Sequence, residues 1–185
     1  DGEPGPFHYA RNAHPAGVEA ERQLGELESG EALLFSSGMA AATAAVLALL
    51  EPGQTVALAD GIYYGTGAML GELERWKVRH VLFDQTGPPP AGADLVWLEA
   101  PSNPFLTMPD FEAAAAHPGL VLCDATASTP VYLQALGRGC DLVLHSATKY
   151  LAGHHDVLLG ALVTRDQAHA TRLLEFRTRT GAVAG

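Results

Sequence analysis

The chain has 185 residues, with 11 basic and 21 acidic side chains and a formal net charge of −10. This acidic balance, without a basic cluster, argues against binding to nucleic acid or to an anionic membrane surface. The most apolar stretch, residues 39–50, is shorter than the ~20 residues that span a bilayer and predicts a buried helix. We therefore expect a cytoplasmic protein with one hydrophobic core.

The first half of the chain predicts an arm followed by alternating helices and strands. Residues 1–13 are rich in glycine and proline, which favours an extended arm. Residues 15–28 predict a helix, because Ala20, Leu24 and Leu27 fall on one helical face. The next predicted elements are strand 32–36, helix 39–50, strand 55–59, helix 66–76, strand 78–83 and loop 84–93.

The second half continues this alternation. Its predicted elements are strand 95–99, helix 109–116, strand 120–124, strand 141–145, strand 157–164 and helix 166–178. Apolar strands separated by helices are typical of a mainly parallel sheet that is flanked by helices and buried on both faces. Residues 14–185 are thus expected to form one α/β domain.

Polar groups concentrate at the ends of the predicted strands. Ligands of open parallel sheets bind at the carboxyl ends of the strands. The groups there are Ser37 and Gly38, Asp60 and Tyr63, Glu99 and the sequence PSNP, Asp124, and Ser146, Thr148 and Lys149. The strands themselves are almost entirely apolar, so we predict a binding or catalytic site at this edge.

The sequence FSSGMAA is a strand end, a glycine turn and a helix start. The first N–H groups of a helix are unpaired and carry the positive end of its dipole, which favours phosphate binding. Gly38 would let the backbone approach a ligand closely. A plain strand-to-helix turn explains the same residues equally simply.

Asp124 and Lys149 are the candidate reactive groups. A carboxylate at the end of a buried strand needs a cation or several hydrogen-bond donors, although a structural cap would satisfy it too. Lys149 is one of two lysines, the other being Lys77, and it follows an apolar strand. An amine so placed can form a Schiff base with a carbonyl, whereas a solvated loop lysine is the ordinary alternative.

Aromatic and histidine residues add two weaker signals. Tyr63 or Tyr64 can stack on a flat ring at a strand end, or pack as a core aromatic. His154, His155 and Asp156 are consecutive, which is not the spacing of a metal site. We expect no metal.

A phosphate cradle, a carboxylate, a stacking tyrosine and an imine-forming lysine together indicate a pyridoxal 5′-phosphate (PLP) site. The sequences HSATKYLAGHHD, SSGMAA and EAPSNP resemble those of the Cys/Met-metabolism enzymes of PLP fold type I. That family includes cystathionine γ-synthase, γ-lyase and β-lyase, methionine γ-lyase and O-acetylhomoserine sulfhydrylase. The resemblance covers nearly the whole chain and implies the large PLP-binding domain of that fold.

The resemblance implies a role for each matching residue around the cofactor ring. Lys149 matches the lysine that forms the internal aldimine and then moves protons. Asp124 matches the aspartate that pairs with the pyridine nitrogen, and Tyr63 matches the tyrosine that stacks on the ring and assists proton transfer. Asn103 matches the asparagine near the ring hydroxyl. The chain reads DATA where the family usually has DNTF, which retains Asp124 and the cofactor-binding position Thr126.

The resemblance also implies phosphate contacts. Ser146 and Thr148 match phosphate-binding hydroxyls, and Gly38 and Met39 match the backbone amides of the phosphate cup. A further pair, Tyr9 and Arg11, matches a Y-x-R motif that reaches the phosphate of the neighbouring subunit. A shared site of this kind implies a homo-oligomer, expected as a dimer of dimers.

For function, the resemblance implies a small amino-acid substrate. The expected chemistry is γ-replacement or γ-elimination on a homoserine ester or on cystathionine, through Lys149. A β-lyase, an O-acetylhomoserine sulfhydrylase, and a remnant that binds PLP or only dimerises remain alternatives. The family's smaller C-terminal domain, with the arginine that binds the substrate carboxylate, has no match here, so we expect the chain to be a fragment.

Overall fold

Seven strands form one sheet in the described part of the chain. The computed structural model describes Gly5 and residues 7–185. The strands are β1 (Glu31–Phe35), β2 (Thr55–Ala59), β3 (Arg79–Phe83), β4 (Leu95–Glu99), β5 (Leu120–Asp124), β6 (Leu142–His145) and β7 (Gly160–Thr164). Their order is β1-β7-β6-β5-β4-β2-β3. β7 pairs antiparallel with β1 and β6, and the other pairs are parallel, which confirms the prediction of a mainly parallel sheet.

Helices cover both faces of this sheet. They are α1 (Pro15–Glu28), α2 (Gly38–Leu49), α3 (Tyr64–Leu73), α4 (Phe111–Ala115), α5 (Thr129–Tyr132) and α6 (Gln167–Thr180). The core on one face is built with α2, α3 and α6, and the core on the other with α1 and α4. Within the described ranges, no helix combines the length and apolarity needed to cross a membrane.

Most predicted elements differ from the observed ones by one or two residues at their ends, and two elements differ by three residues at one end. The helix predicted over 66–76 ends at Leu73, and Glu74–Trp76 continue it as a 3₁₀-helix. The strand predicted over 157–164 begins only at Gly160. Val157 and Leu158 are exposed, and the backbone of Leu159 is bonded to the Thr148 side chain instead of to a strand, so apolar composition misled the prediction there.

The alanine-rich helix α2 packs directly on the sheet. Ala41, Ala44 and Ala45 have no exposed surface. Small side chains allow a helix to approach its neighbours closely, and a helix that is apolar all round is buried. β1 and β6 are both antiparallel to β7 and so run in the same direction, and α2 follows β1, so the first turn of α2 lies at the edge where the parallel strands end.

Gly160, at the start of β7, sets how closely that first turn approaches. A Cβ atom on Gly160 would lie 2.0 Å from Ser37 O and 2.7 Å from Gly38 N. Both are backbone atoms of the turn that begins α2, so they have no rotamer through which to move away. Glycine is required here by this close approach.

Buried polar contacts hold the edge strand β1 between α1 and α6. Arg177 of α6 is buried, donates a hydrogen bond to Leu34 O at 2.8 Å and contacts the Glu21 carboxylate. Glu21 in turn accepts the Leu34 N–H at 2.9 Å. A single strand residue therefore has both backbone groups bonded by side chains of the two flanking helices.

The segment before α1 is described from Gly5 onward, apart from residue 6. It contains a turn closed by the Asn12 N–H, which donates to Tyr9 O at 2.9 Å. The predicted arm over 1–13 lies partly outside the described residues, and its separation from a domain over 14–185 stays a prediction.

We predict that Gly160→Ala destabilises the fold by about 1–3 kcal/mol, because the added methyl overlaps two backbone atoms. Gly71→Ala is the control, since Gly71 lies in α3 with nothing within 4 Å of its Cβ position. Urea unfolding of the full chain measures both. Equal stabilities of the two variants would contradict the packing described for Gly160.

Candidate functional site

One hydroxyl joins the ends of β5 and β6. Asp124, the last residue of β5, accepts the Thr126 N–H at 2.9 Å and the Thr126 hydroxyl at 2.5 Å, both on Oδ1. The Thr126 hydroxyl accepts the Ser146 N–H at 2.8 Å. The predicted acid and the turn after β6 are therefore in one hydrogen-bonded chain.

The Asp124 carboxylate is buried, and none of the described residues forms an ion pair with it. Burial raises its pKa above the usual 3.8, against the lowering effects of the two Thr126 bonds and of the more distant His145. A raised pKa means that the ionised carboxylate lacks compensating charge. A protonated pyridine nitrogen would supply that charge, and Oδ2 is the oxygen that Thr126 leaves for it, so the site fits the PLP ring.

The start of α2 fits the phosphate end of PLP. Ser37 caps the helix through its hydroxyl, which accepts the Ala40 N–H at 3.0 Å. Gly38 packs on Ser146, since a Cβ on Gly38 would lie 2.9 Å from Ser146 Cβ. The helix is 12 residues long, and the N–H groups of its first turn, including those of Gly38 and Met39, have no partners within the helix.

Lys149 is exposed in the turn that follows β6. Its backbone N–H donates to Ser146 O at 3.0 Å, and its carbonyl accepts the Gly153 N–H at 3.0 Å. The Lys149 backbone is thus connected to Thr126 by two hydrogen bonds, both made by Ser146. The Lys149 side chain is accessible at the edge where the parallel strands end. This placement suits an amine that must meet a carbonyl ligand.

Thr148 has a structural task in this arrangement. Its hydroxyl donates to Leu159 O at 3.0 Å and accepts the Leu159 N–H at 2.8 Å. These bonds close the loop between Lys149 and β7. The phosphate contact expected of Thr148 stays a prediction, and so do the individual cofactor contacts expected of the other site residues.

Tyr63 and Asn103 approach the same edge from two loops. Tyr63 precedes α3, is 37% exposed, and lies against Tyr64 with ring centroids 5.0 Å apart. Asn103 is exposed in the loop after β4. The Tyr63 N–H donates to Glu99 Oε2 at 2.7 Å, and the Asn103 N–H is close enough to the same carboxylate to lower its pKa.

The sequence analysis named Glu99 as a polar group at the strand ends but gave it no role, and it did not name Gln85 at all. Glu99 ends β4, is 5% exposed and is the register partner of Asp124. Burial raises the pKa of Glu99 to about 7, and the nearby Asp124 charge adds to this effect, while the Tyr63 and Asn103 N–H groups oppose it. The signal was a carboxylate ending a fully apolar strand, whereas nothing in the sequence marked Gln85.

Tyr9 and Arg11 contact each other at the surface, beside helix α6. Arg11 stacks on the Tyr9 ring at 4.8 Å from its centroid and donates to Thr178 O of α6 at 2.6 Å. Both side chains are exposed. Their expected role in a neighbouring subunit stays a prediction.

Among the described residues, no group of three or more histidine, cysteine or acidic side chains is arranged to hold a metal ion.

The fold and the site define a PLP-binding α/β domain, and comparison with other proteins agrees. A family model for Cys/Met metabolism PLP-dependent enzymes matches residues 1–185. A cystathionine gamma-synthase from Mycobacterium bovis is 38% identical over 98% of this chain and 50% of its own length. A cystathionine beta-lyase from Lactococcus lactis subsp. cremoris is 35% identical over 100% of this chain and 51% of its own length.

A solved structure is similarly close. The cystathionine gamma synthase from Xanthomonas oryzae pv. oryzae, determined in complex with cystathionine, superposes with a TM-score of 0.92 at 31% identity, covering 100% of this chain and 51% of that one. This chain belongs to the Cys/Met metabolism family of PLP-dependent enzymes, as the sequence resemblance predicted. It spans about half the length of the relatives it matches.

We predict that Glu99 makes the cofactor-free protein less stable as the pH rises. Its pKa is raised from 4.5 to about 7 in the folded state, so between these values the unfolded chain releases a proton that the folded chain keeps. Stability therefore falls with rising pH across that window. Asp124 shifts in the same direction and remains in both proteins compared.

Urea unfolding of the cofactor-free full chain at pH 5 and pH 8 checks this prediction. Glu99→Gln should lose less of its free energy of unfolding between the two pH values than the wild type does, because the amide does not titrate. Identical pH dependence of the two proteins would show that Glu99 does not titrate abnormally.

Proposed function

We propose that the protein containing this chain is a PLP-dependent transsulfuration-type enzyme that uses Lys149 as its covalent attachment point. The reaction proposed is γ-replacement or γ-elimination on a homoserine ester or on cystathionine. The observation that carries the proposal is the hydrogen-bonded chain from Asp124 through Thr126 to Ser146, three residues before Lys149. It supports one ligand that presents a cation to the acid and a carbonyl to the amine.

Each group of the chain has a definite task in this proposal. PLP, when bound, supplies an electron-withdrawing ring that stabilises negative charge at the substrate Cα. Asp124 holds a proton on the pyridine nitrogen, and its burial strengthens that interaction. The start of α2 binds the phosphate, and the Lys149 amine, once free, takes the Cα proton and returns it elsewhere on the substrate.

A β-lyase is the second candidate, because the Lactococcus relative carries that name at nearly the same identity as the γ-synthase. Both reactions begin with loss of the Cα proton, so both need the same acid, lysine and phosphate site. They differ in which carbon–sulfur bond breaks afterwards. We favour the γ-reaction because relatives named for both directions of γ-chemistry, a gamma-synthase and a gamma-lyase, match this chain at 38% and 37% identity.

We further propose that the enzyme acts in the cytoplasm as a homo-oligomer on a small amino acid. The exposed pair of Tyr9 and Arg11 supports the oligomer, since an arginine stacked on a tyrosine presents a preformed cation at the surface. A phosphate of a second subunit is the partner that this pair would bind.

Attachment of PLP to Lys149 is tested by borohydride reduction of the PLP-loaded full chain, followed by peptide mass mapping. We expect the reduced cofactor on Lys149. Lys149→Arg should lose the label, and Lys77→Arg is the matched control, because Lys77 is the only other lysine and is exposed in a turn. Label on Lys77 would refute the proposed site.

The products formed when the protein containing this chain is incubated with PLP and cystathionine distinguish the two candidate reactions. γ-Elimination releases cysteine, ammonia and 2-oxobutanoate, whereas β-elimination releases homocysteine, ammonia and pyruvate. We expect 2-oxobutanoate from the wild type and at least a hundredfold lower rate from Lys149→Arg, in line with loss of a positioned base. Pyruvate as the main product would instead establish the β-lyase.

A further inference from the structure

Glu99 lies between the two loops that flank the proposed ring site. Its Oε2 accepts the Tyr63 N–H at 2.7 Å, and the Asn103 N–H is close enough to act on the same carboxylate. Tyr63 precedes α3, and Asn103 lies in the loop after β4. A single buried side chain therefore acts on two segments that are 40 residues apart in sequence.

Gln85 fixes the backbone of Glu99 from the other side. Its side-chain oxygen accepts the Glu99 N–H at 3.1 Å, and its amide nitrogen donates to Glu99 O at 2.9 Å. Gln85 is 2% exposed, so these bonds are shielded from water. The Glu99 carboxylate thus extends from a backbone that is held at both of its polar groups.

The same glutamine also closes the loop that carries Asn103. Its amide nitrogen lies 3.3 Å from both Thr107 O and Thr107 Oγ1. Within that loop, the Ser102 and Thr107 hydroxyls are 2.7 Å apart, and the Thr107 N–H donates to Ser102 Oγ at 3.0 Å. Glu99 and Gln85 together therefore define the position of the whole turn around Asn103.

We propose that Glu99 is a positioning residue, whose buried carboxylate sets the places of Tyr63 and Asn103 against the cofactor ring. This inference rests on the proposed function, because it assigns to that site a residue without a role so far. Glu99 acts through the backbone of its two partners. Asp124 is its register partner on β5 and acts on it by charge, so removing the Glu99 charge also changes the electric field at Asp124.

A carboxylate is better suited to this task than an amide or an apolar side chain. An ionised carboxylate is an acceptor on both oxygens, whereas glutamine accepts on one oxygen and offers donors at the other position. Glu99→Gln should therefore keep part of this hold on the two loops, and Glu99→Leu should remove the hydrogen bond to Tyr63 altogether. This gives a graded series at nearly constant volume.

Asp94 provides a matched control at the opposite end of the same sheet. It precedes β4, accepts the Thr55 N–H at 2.8 Å and accepts the Gln54 side chain at 3.1 Å. Asp94→Leu thus removes the same kind of carboxylate-to-backbone bond, away from the carboxyl ends of the parallel strands. A loss of stability without a change in PLP binding is expected for it.

The experiment titrates PLP into the cofactor-free full chain and follows absorbance and the induced circular dichroism of the bound cofactor. We predict that Glu99→Leu weakens PLP binding by about tenfold to a hundredfold, because that is the change in affinity that corresponds to the free energy of a hydrogen bond to a charged group. Glu99→Gln should fall between it and the wild type. The circular dichroism band should weaken in the same order, because it reports how firmly the ring is oriented.

A double-mutant cycle with Tyr63→Ala tests whether Glu99 acts through its partner. In the Tyr63→Ala background, Glu99→Leu should weaken PLP binding by a clearly smaller factor than in the wild type. A purely structural role would give the same factor in both backgrounds. Thermal unfolding of every variant shows which of them are folded, and Glu99→Gln carries the test if Glu99→Leu does not fold.

The outcomes separate this inference from the proposed function. If the wild type binds PLP and Glu99→Leu and Glu99→Gln bind it as tightly as Asp94→Leu does, the positioning role is wrong while the site stands. If the wild type itself does not bind PLP at Lys149, both the proposed function and the positioning role are overturned. Graded weakening with non-additivity supports the inference.

Discussion

The Thr126 hydroxyl is the contact on which the site depends. It donates to Asp124 at 2.5 Å and accepts the Ser146 N–H at 2.8 Å, so it fixes the distance between the end of β5 and the turn after β6. Ser146 packs on Gly38 at the start of α2. The acid, the lysine turn and the helix N-terminus are consequently held in one rigid relation, as a ligand with an acidic nitrogen at one end and a phosphate at the other requires.

Two buried carboxylates at neighbouring strand ends give the site its electrostatic character. Burial raises the pKa of both Asp124 and Glu99, so without a cation between the strands each is costly to ionise. We interpret these carboxylates as lowering the stability of the cofactor-free fold and favouring PLP binding, because they place negative charge where the positive ring would be held. Glu99 additionally accepts the Tyr63 N–H and lies near that of Asn103, so the same carboxylate also supports these two loops.

Much of this arrangement was predictable because strand ends of a parallel sheet share an edge. The alternation of apolar strands and helices predicted the sheet, and Asp124, Gly38 and Lys149 were singled out by their positions alone. The reversed direction of β7 was not predictable, since apolar composition carries no strand direction. The bonding of Thr148 to Leu159 and of Gln85 to Glu99 also escaped prediction, because both depend on loops that meet only after folding.

The most direct test of the account compares Thr126→Val with Thr126→Ser in the full chain, by titration of PLP into the cofactor-free protein. Valine keeps the shape of threonine but removes the hydroxyl that joins Asp124 to Ser146, whereas serine keeps that hydroxyl. We predict that PLP binding weakens by about tenfold or more in Thr126→Val and stays near the wild-type value in Thr126→Ser. Equal affinity of Thr126→Val and the wild type would contradict the claim that this hydroxyl holds the site together.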